Sequence, residues 1–161
     1  MDWVELITAT AFCTMSLHKS SVGRLQMVLN AAARLVVGVG RYEHVTLALC
    51  DVLHWFPVPQ RIQFKLTISA FDCVCEHCSA YFNNVCIPVA GISGRANLRS
   101  AERHDILVSS TRTQLGRWSF HVAVPAIWNM LPPHLRSLSI SHGQFRAGLK
   151  THLFTQAYRH L

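Results

Sequence analysis

The chain has 161 residues, half of them apolar and 14% charged, and its fifteen Lys and Arg against eight Asp and Glu give a net charge of +7 with histidines neutral. That length suits one ordinary domain, and the composition excludes both a disordered tail, which would be more polar, and a membrane-embedded chain, which would be less interrupted. The basic surplus favours polyanions such as nucleic acid or acidic membrane surfaces, and arginine carries it, because Lys19, Lys65 and Lys150 are the only lysines; its planar fork fits phosphate and carboxylate alike.

The opening MDWVELITATAFCTMSLHKS places Asp2 and Glu5 where a secretory leader needs positive charge, so it is not read as a signal peptide. No run of roughly 18 apolar residues is present to span a bilayer. The nearest candidate, LNAAARLVVGVG, contains Arg34 and ends in glycines, so no membrane partner is expected. Without an export signal the six cysteines are expected as reduced thiols, and the location as intracellular, cytoplasmic or nuclear.

In SSVGRLQMVLNAAARLVVG, residues Val22, Leu25, Leu29, Ala32 and Val36 recur at helical spacing and define the expected buried face, with Ser20 or Ser21 as cap and Gly38 as stop. A shorter helix is predicted from Thr46 as N-cap to the prolines at 57 and 59. The stretch QRIQFKLTISAFDCVCEH then carries Ile62, Leu66 and Ala70 beside Phe64, Ile68 and Phe71, a broad apolar face that predicts a largely buried helix. From Pro88 to about Ser119 helical periodicity is lost. DILVSSTRT is the plausible strand there, pairing near the QLGRW turn. Helix returns in SFHVAVPAIWNMLPP, with Pro125 either near a first turn or at a kink, and a last helix opens at Ser139 or Ser141 with Phe145, Leu149 and Leu153 every four residues. The expected organisation is mainly α: a diverged segment 1–18, a helical segment 19–86, an Arg-rich irregular linker 87–118 with a small β element at most near 105–118, and a C-terminal helical segment 119–161.

The stretch CVCEHCSAYFNNVC gathers Cys73, Cys75, His77, Cys78 and Cys86. Structural zinc modules use two ligand pairs separated by a longer loop, and here the second pair is missing. The cluster continues a helical pattern in which free cysteine acts as a small hydrophobe, so no metal and no cofactor are expected. The histidines are scattered, GISG falls one residue short of a nucleophile elbow, and no adjacent or closely spaced Asp pair is present to hold two magnesium ions for phosphoryl transfer. No catalytic residue and no small-molecule substrate are therefore assigned. The candidate binding residues are Arg95, Arg99, Arg103, Arg112 and Arg117, with Trp118 alongside, which supply the ingredients of a phosphate-binding surface for RNA or DNA. The bland alternative for them is a solvated loop.

Two blocks, residues 24–74 and 111–154, resemble the C-terminal region of LINE-type, non-LTR retrotransposon reverse transcriptases of the Jockey-like group. The resemblance is carried by Leu25, Gln26, Asn30, Ala31 to Ala33 and Arg34, then by His54, Trp55, Pro57, Val58, Arg61, Ile62, Phe64 and Lys65. It continues in Thr111, Arg112 and Thr113, in Ser119, Phe120, Pro125, Trp128, Asn129, Leu131 and Pro132, and in Phe145, Leu149, Lys150, Leu153 and Phe154. In that family Cys73 and Cys86 fall at positions that tend to be cysteine, whereas Cys75 and Cys78 fall where it has histidine and alanine, so the resemblance implies drift, not a built zinc site. It further implies that the carboxylate-bearing palm would lie upstream of residue 1, leaving a non-catalytic, thumb-side fragment of a truncated element that grips template and primer. The reading from a different class is a helical protein-interaction module using exposed apolar helix faces, or a relic of a degenerate copy.

Overall fold

The structure, a computed structural model, describes residues 19–75, 77, 85–113, 116, 119–137 and 139–159. The expected N-terminal segment 1–18 lies outside them. Helix dominates, as the periodicity implied: α1 spans Lys19–Val37, α2 Val45–Leu47 continuing into a π-helical turn at Ala48–Val52, α3 Val58–Val74, the short α4 Arg99–Glu102, α5 Phe120–Asn129 and α6 His142–Tyr158, with 3-10 turns at Val89–Gly91 and Pro133–Leu135. No sheet forms among the described residues. β structure there is a single antiparallel bridge between Pro88 and Ile106, flanked by Val89 N–H to Asp105 O at 3.0 Å and Leu107 N–H to Ile87 O at 2.8 Å. The expected strand thus meets Pro88 and its neighbours; most of the QLGRW turn lies outside the described residues.

Local chemistry explains the element ends. Gly38 adopts φ +74° and donates its N–H to Arg34 O at 2.8 Å, the left-handed stop that a glycine supplies at least cost. The prolines expected to end the second helix instead start the third: Pro57 is the N-cap of α3 and Pro59 sits in its first turn, where a missing N–H costs nothing. The second helix is shorter than expected, capped by His44 and not by Thr46. Ser141 caps α6 in a reciprocal box with Gln144. Pro125 lies six residues into α5, in the helix interior and not its first turn, and the carbonyl it leaves without an N–H partner belongs to the exposed His121.

The main core is built where α3 packs against α5 and α6. Leu66, Ala70 and Phe71 from α3 meet Val124 and Trp128 from α5, Leu131 and Leu135 from the turn after it, and Phe145, Leu149 and Leu153 from α6. Phe71 stacks on Phe145 at 4.2 Å between ring centroids, 16° from parallel. Gly148 lets the two segments close up, since a Cβ there would fall 2.8 Å from Leu135 Cδ2. A smaller cluster of Ala33, Val45, Ala48 and Leu49 seats α1 on the α2 turn, and Tyr158 ties it to α6 by donating its hydroxyl to Trp55 O at 2.5 Å.

The orientation of α1 departs from the apolar pattern. Leu25 and Val36, expected inward, are exposed, while Ala33 is buried. The reason is polar. Gln26 Oε1 accepts the Val58 N–H at 2.8 Å, satisfying an open donor at the start of α3, and Gln26 Nε2 donates to Asn30 Oδ1 at 2.9 Å. Turning Gln26, Asn30 and Ala33 inward turns the Leu25, Val28, Leu35 and Val36 side outward.

Candidate nucleic-acid interface

The segment that carries the candidate arginines has no regular element of useful length, so its shape depends on what holds it. Between Ile92 and Asp105 the chain is a succession of tight turns, including Leu98 N–H to Arg95 O at 3.1 Å and Asp105 N–H to Ser100 O at 2.9 Å. The end of α5 grips the last of these turns. Trp128, fully buried, donates its Nε1–H to His104 O at 2.9 Å. Asn129 closes a two-way bond with Ile106, accepting its N–H on Oδ1 and donating Nδ2–H to its carbonyl, both at 2.8 Å. A side-chain amide is the group that can serve one residue's donor and acceptor together. The chain takes a left-handed turn at His104, φ 57°, to present its carbonyl to the indole.

Asp105 completes the clamp. It is buried, and its carboxylate pairs with Arg136, also buried, from the turn after α5, while its other oxygen receives Arg103 Nη2 at 3.3 Å. Neutralisation by Arg136 is what makes a carboxylate tolerable in that place. Arg136 Nε remains without a partner. Neither Asp105 nor Arg136 stands out in the sequence: Asp105 reads as the first residue of a strand, and Arg136 as one surface cation among many. The signal that could have found Arg136 is its place directly after the L-P-P-H-L turn, whose two leucines are buried.

Of the five candidate arginines, Arg95, Arg99 and Arg112 are exposed and make no side-chain hydrogen bond or ion pair within the described chain. Arg103, with 59% of its side chain exposed, is partly neutralised by Asp105. Arg117 and its neighbour Trp118 lie outside the described residues. Arg95 and Arg99 sit on the turns and α4, and Arg112 lies in a bend of the irregular chain that follows the Asn129 clamp.

Searches against protein families, curated proteins and solved structures return no match for this chain. The site is therefore read from its own geometry.

The cysteine stretch is divided by the fold. Cys73 and Cys86 are buried in the main core, Cys75 is half-buried at the end of α3, His77 is exposed, and Cys78 lies outside the described residues. Burial, then the nearby Asp72 carboxylate, pushes the Cys75 thiol up, so it is held protonated at neutral pH. Among the described residues no group of three His, Cys, Asp or Glu is placed to hold a metal ion. An open cavity of about 390 Å³ adjoins Cys75 and His77, and at its rim His142 Nε2 lies 3.3 Å from Asp72 Oδ1.

A second surface feature is apolar. On the solvent side of α1, Leu35 is 85%, Val28 67%, Met27 65% and Val36 63% exposed. Arg24 lies one turn before Val28 on that side. Such a row exceeds what a helix needs to seat on its own domain. No described helix is long and apolar enough to cross a membrane.

Proposed function

We propose that the chain is a non-catalytic, helical nucleic-acid-binding fragment, corresponding to the thumb-side and tail region of the retrotransposon reverse transcriptases it resembles. The observation that carries the reading is the trio Arg95, Arg99 and Arg112: cations left unpaired on the two sides of a segment that Trp128 and Asn129 clamp at His104 and Ile106. Clamping lowers the entropy lost when arginines are fixed on phosphates. The contacts are to the backbone, so binding is weak and without sequence preference. With about three phosphate contacts, log affinity on a single strand falls with log salt at a slope near −2, from roughly −0.7 per contact. The test is a salt titration of binding to a fluorescent single-stranded oligonucleotide. Arg99→Ala with Arg112→Ala is expected to weaken binding and flatten the slope; a double variant that binds as the parent does overturns the reading. Primer extension in magnesium or manganese is expected to give no product above a no-protein control, because the sequence has no closely spaced Asp pair to hold two metal ions.

The exposed row on α1 favours a second reading, a protein-interaction module, in which Val28, Leu35 and Val36 are covered by a partner helix. Under it, Leu35→Glu abolishes capture of that partner and leaves oligonucleotide binding unchanged.

A further inference from the structure

The seam between α3 and α6 carries a cationic surface separate from the Arg-rich turns. The two helices run antiparallel: Phe71, near the end of α3, stacks on Phe145 near the start of α6, while Phe56, just before α3, meets Phe154 near the end of α6. The contact of Asp72 with His142 marks one side of this seam. Lys65 lies seven residues and Arg61 eleven residues before Asp72, whole numbers of turns that place both on that same side of α3. Arg146 and Lys150 lie four and eight residues after His142, one and two turns along α6. The α6 row therefore runs beside the α3 row over about 12 Å, from the rise of about 1.5 Å per residue, with axes about 8–10 Å apart.

All four side chains are exposed. Arg61 lies over the Trp55 ring at 5.5 Å and donates Nε–H to Phe56 O at 2.9 Å. Lys65, Arg146 and Lys150 have no ion pair among the described residues. Asp72 is the only acid in α3, it is already paired with His142, and α6 has no acid at all. Each helix thus presents a like-charged pair four residues apart, an arrangement that destabilises a helix by itself. A polyanion lying along the seam converts that repulsion into attraction.

We infer that the α3–α6 seam is a second phosphate-backbone track, which receives a nucleic-acid strand along Lys65, Arg146 and Lys150 with Arg61 at its end. The track rests on the nucleic-acid reading above but adds a surface which that reading does not use. A bilayer is the poorer fit: surface-lying membrane helices bury an apolar face, and neither α3 nor α6 exposes a large hydrophobic side chain. A strand with evenly repeated charges matches two rows of evenly repeated cations.

The test uses the full chain and a fluorescent oligo-dT strand titrated with salt, alongside vesicles containing phosphatidylserine. Three triple variants are compared with the parent: Lys65→Gln/Arg146→Gln/Lys150→Gln on the seam, Arg95→Gln/Arg99→Gln/Arg112→Gln on the turns, and Arg24→Gln/Arg41→Gln/Arg159→Gln as a control of equal charge loss elsewhere. Melting curves check that each variant folds. With the turns and the seam both engaged the parent slope of log affinity against log salt is near −4, and the seam variant is expected to bring it back to near −2, from about 0.7 for each of three lost contacts, while the control changes it far less. A seam variant that matches the charge control overturns the track. Loss of vesicle binding by the seam variant without loss of oligonucleotide binding also overturns it, in favour of a headgroup surface. A turn variant that binds as the parent does while the seam variant fails overturns the arginine-turn reading alone, and a parent without salt-dependent binding overturns both.

Discussion

The two hydrophobic clusters differ in what closes them. The α3–α5–α6 core is filled by large rings, Trp128, Phe71 and Phe145, whose edges are also tied to backbone through the Trp128 indole. The cluster under α1 is filled by small side chains, Ala33, Val45, Ala48 and Leu49, and is tied by Gln26 at one end and Tyr158 at the other. Rings bury far more apolar surface per residue than alanines do, so the first cluster holds most of the stability while the second docks a helix whose other side stays apolar and wet. The difference teaches that the same chain has a firm body and one lightly attached helix, and local opening is expected at the latter.

The comparison breaks first at Trp128. Trp128→Ala is expected to cost about 3–5 kcal/mol, enough to unfold a marginal domain, read as a lost or strongly shifted urea transition. A milder cut at the same place is Asn129→Ala, which leaves the Ile106 N–H and carbonyl unpaired together. Its expected cost is about 2–4 kcal/mol, from roughly 1–2 for each of the two part-buried groups deprived of a partner. It is also expected to raise hydrogen exchange at Ile106.

On the α1 side the same kind of substitution is expected to do less. Gln26→Ala removes one bond to the start of α3 and should cost about 1 kcal/mol, as helix caps do. Hydrogen exchange then resolves whether α1 opens alone, with faster exchange along residues 21–37 and unchanged protection in α3 and α6. Smaller still is Leu35→Gln, since an exposed side chain away from caps and cores changes stability by no more than about 0.5 kcal/mol. A larger loss in that variant would mean that the row is covered in the free chain.

The smallest expected effect is pH dependence from His152 on α6. Burial, with His134 adding to it, lowers its pKa from the ordinary value of 6.5. The unfolded chain therefore binds more protons than the folded one as pH falls below that value, and stability declines with falling pH. Above it the contribution is constant. His152→Gln is expected to flatten this part of the stability–pH curve, measured by urea unfolding at a series of pH values.

Much of the helical organisation was legible in local signals. The four-residue recurrence of Phe145, Leu149 and Leu153 marks the buried stripe of α6, and Ser141 followed by Gln144 marks its start. Gly38 ends α1 because a left-handed residue there favours glycine. Leu66 and Ala70 face the core because a four-residue spacing shares a side, and Phe71 joins them from the stripe it shares with Phe64 and Ile68. Of the candidate site, the exposed arginines were legible by type, because charge is a property of composition.

What the tertiary structure alone decided are the choices between equally allowed faces and partners. Periodicity put Leu25 and Val36 inward, but the open N–H at the start of α3 is in competition with them, and Gln26 answers it, so α1 rotates. Sequence spacing could not foresee that Trp128 and Asn129, 23 or more residues downstream, would hold the carbonyl of His104 and both backbone groups of Ile106. Nor could it foresee that Asp105 would find Arg136, 31 residues away, and so turn a surface pair of charges into a buried tie. Helical periodicity reports which residues share a side over a few turns. Which side meets which neighbour depends on satisfying polar groups brought together from distant parts of the chain, and that is a property of the packed molecule.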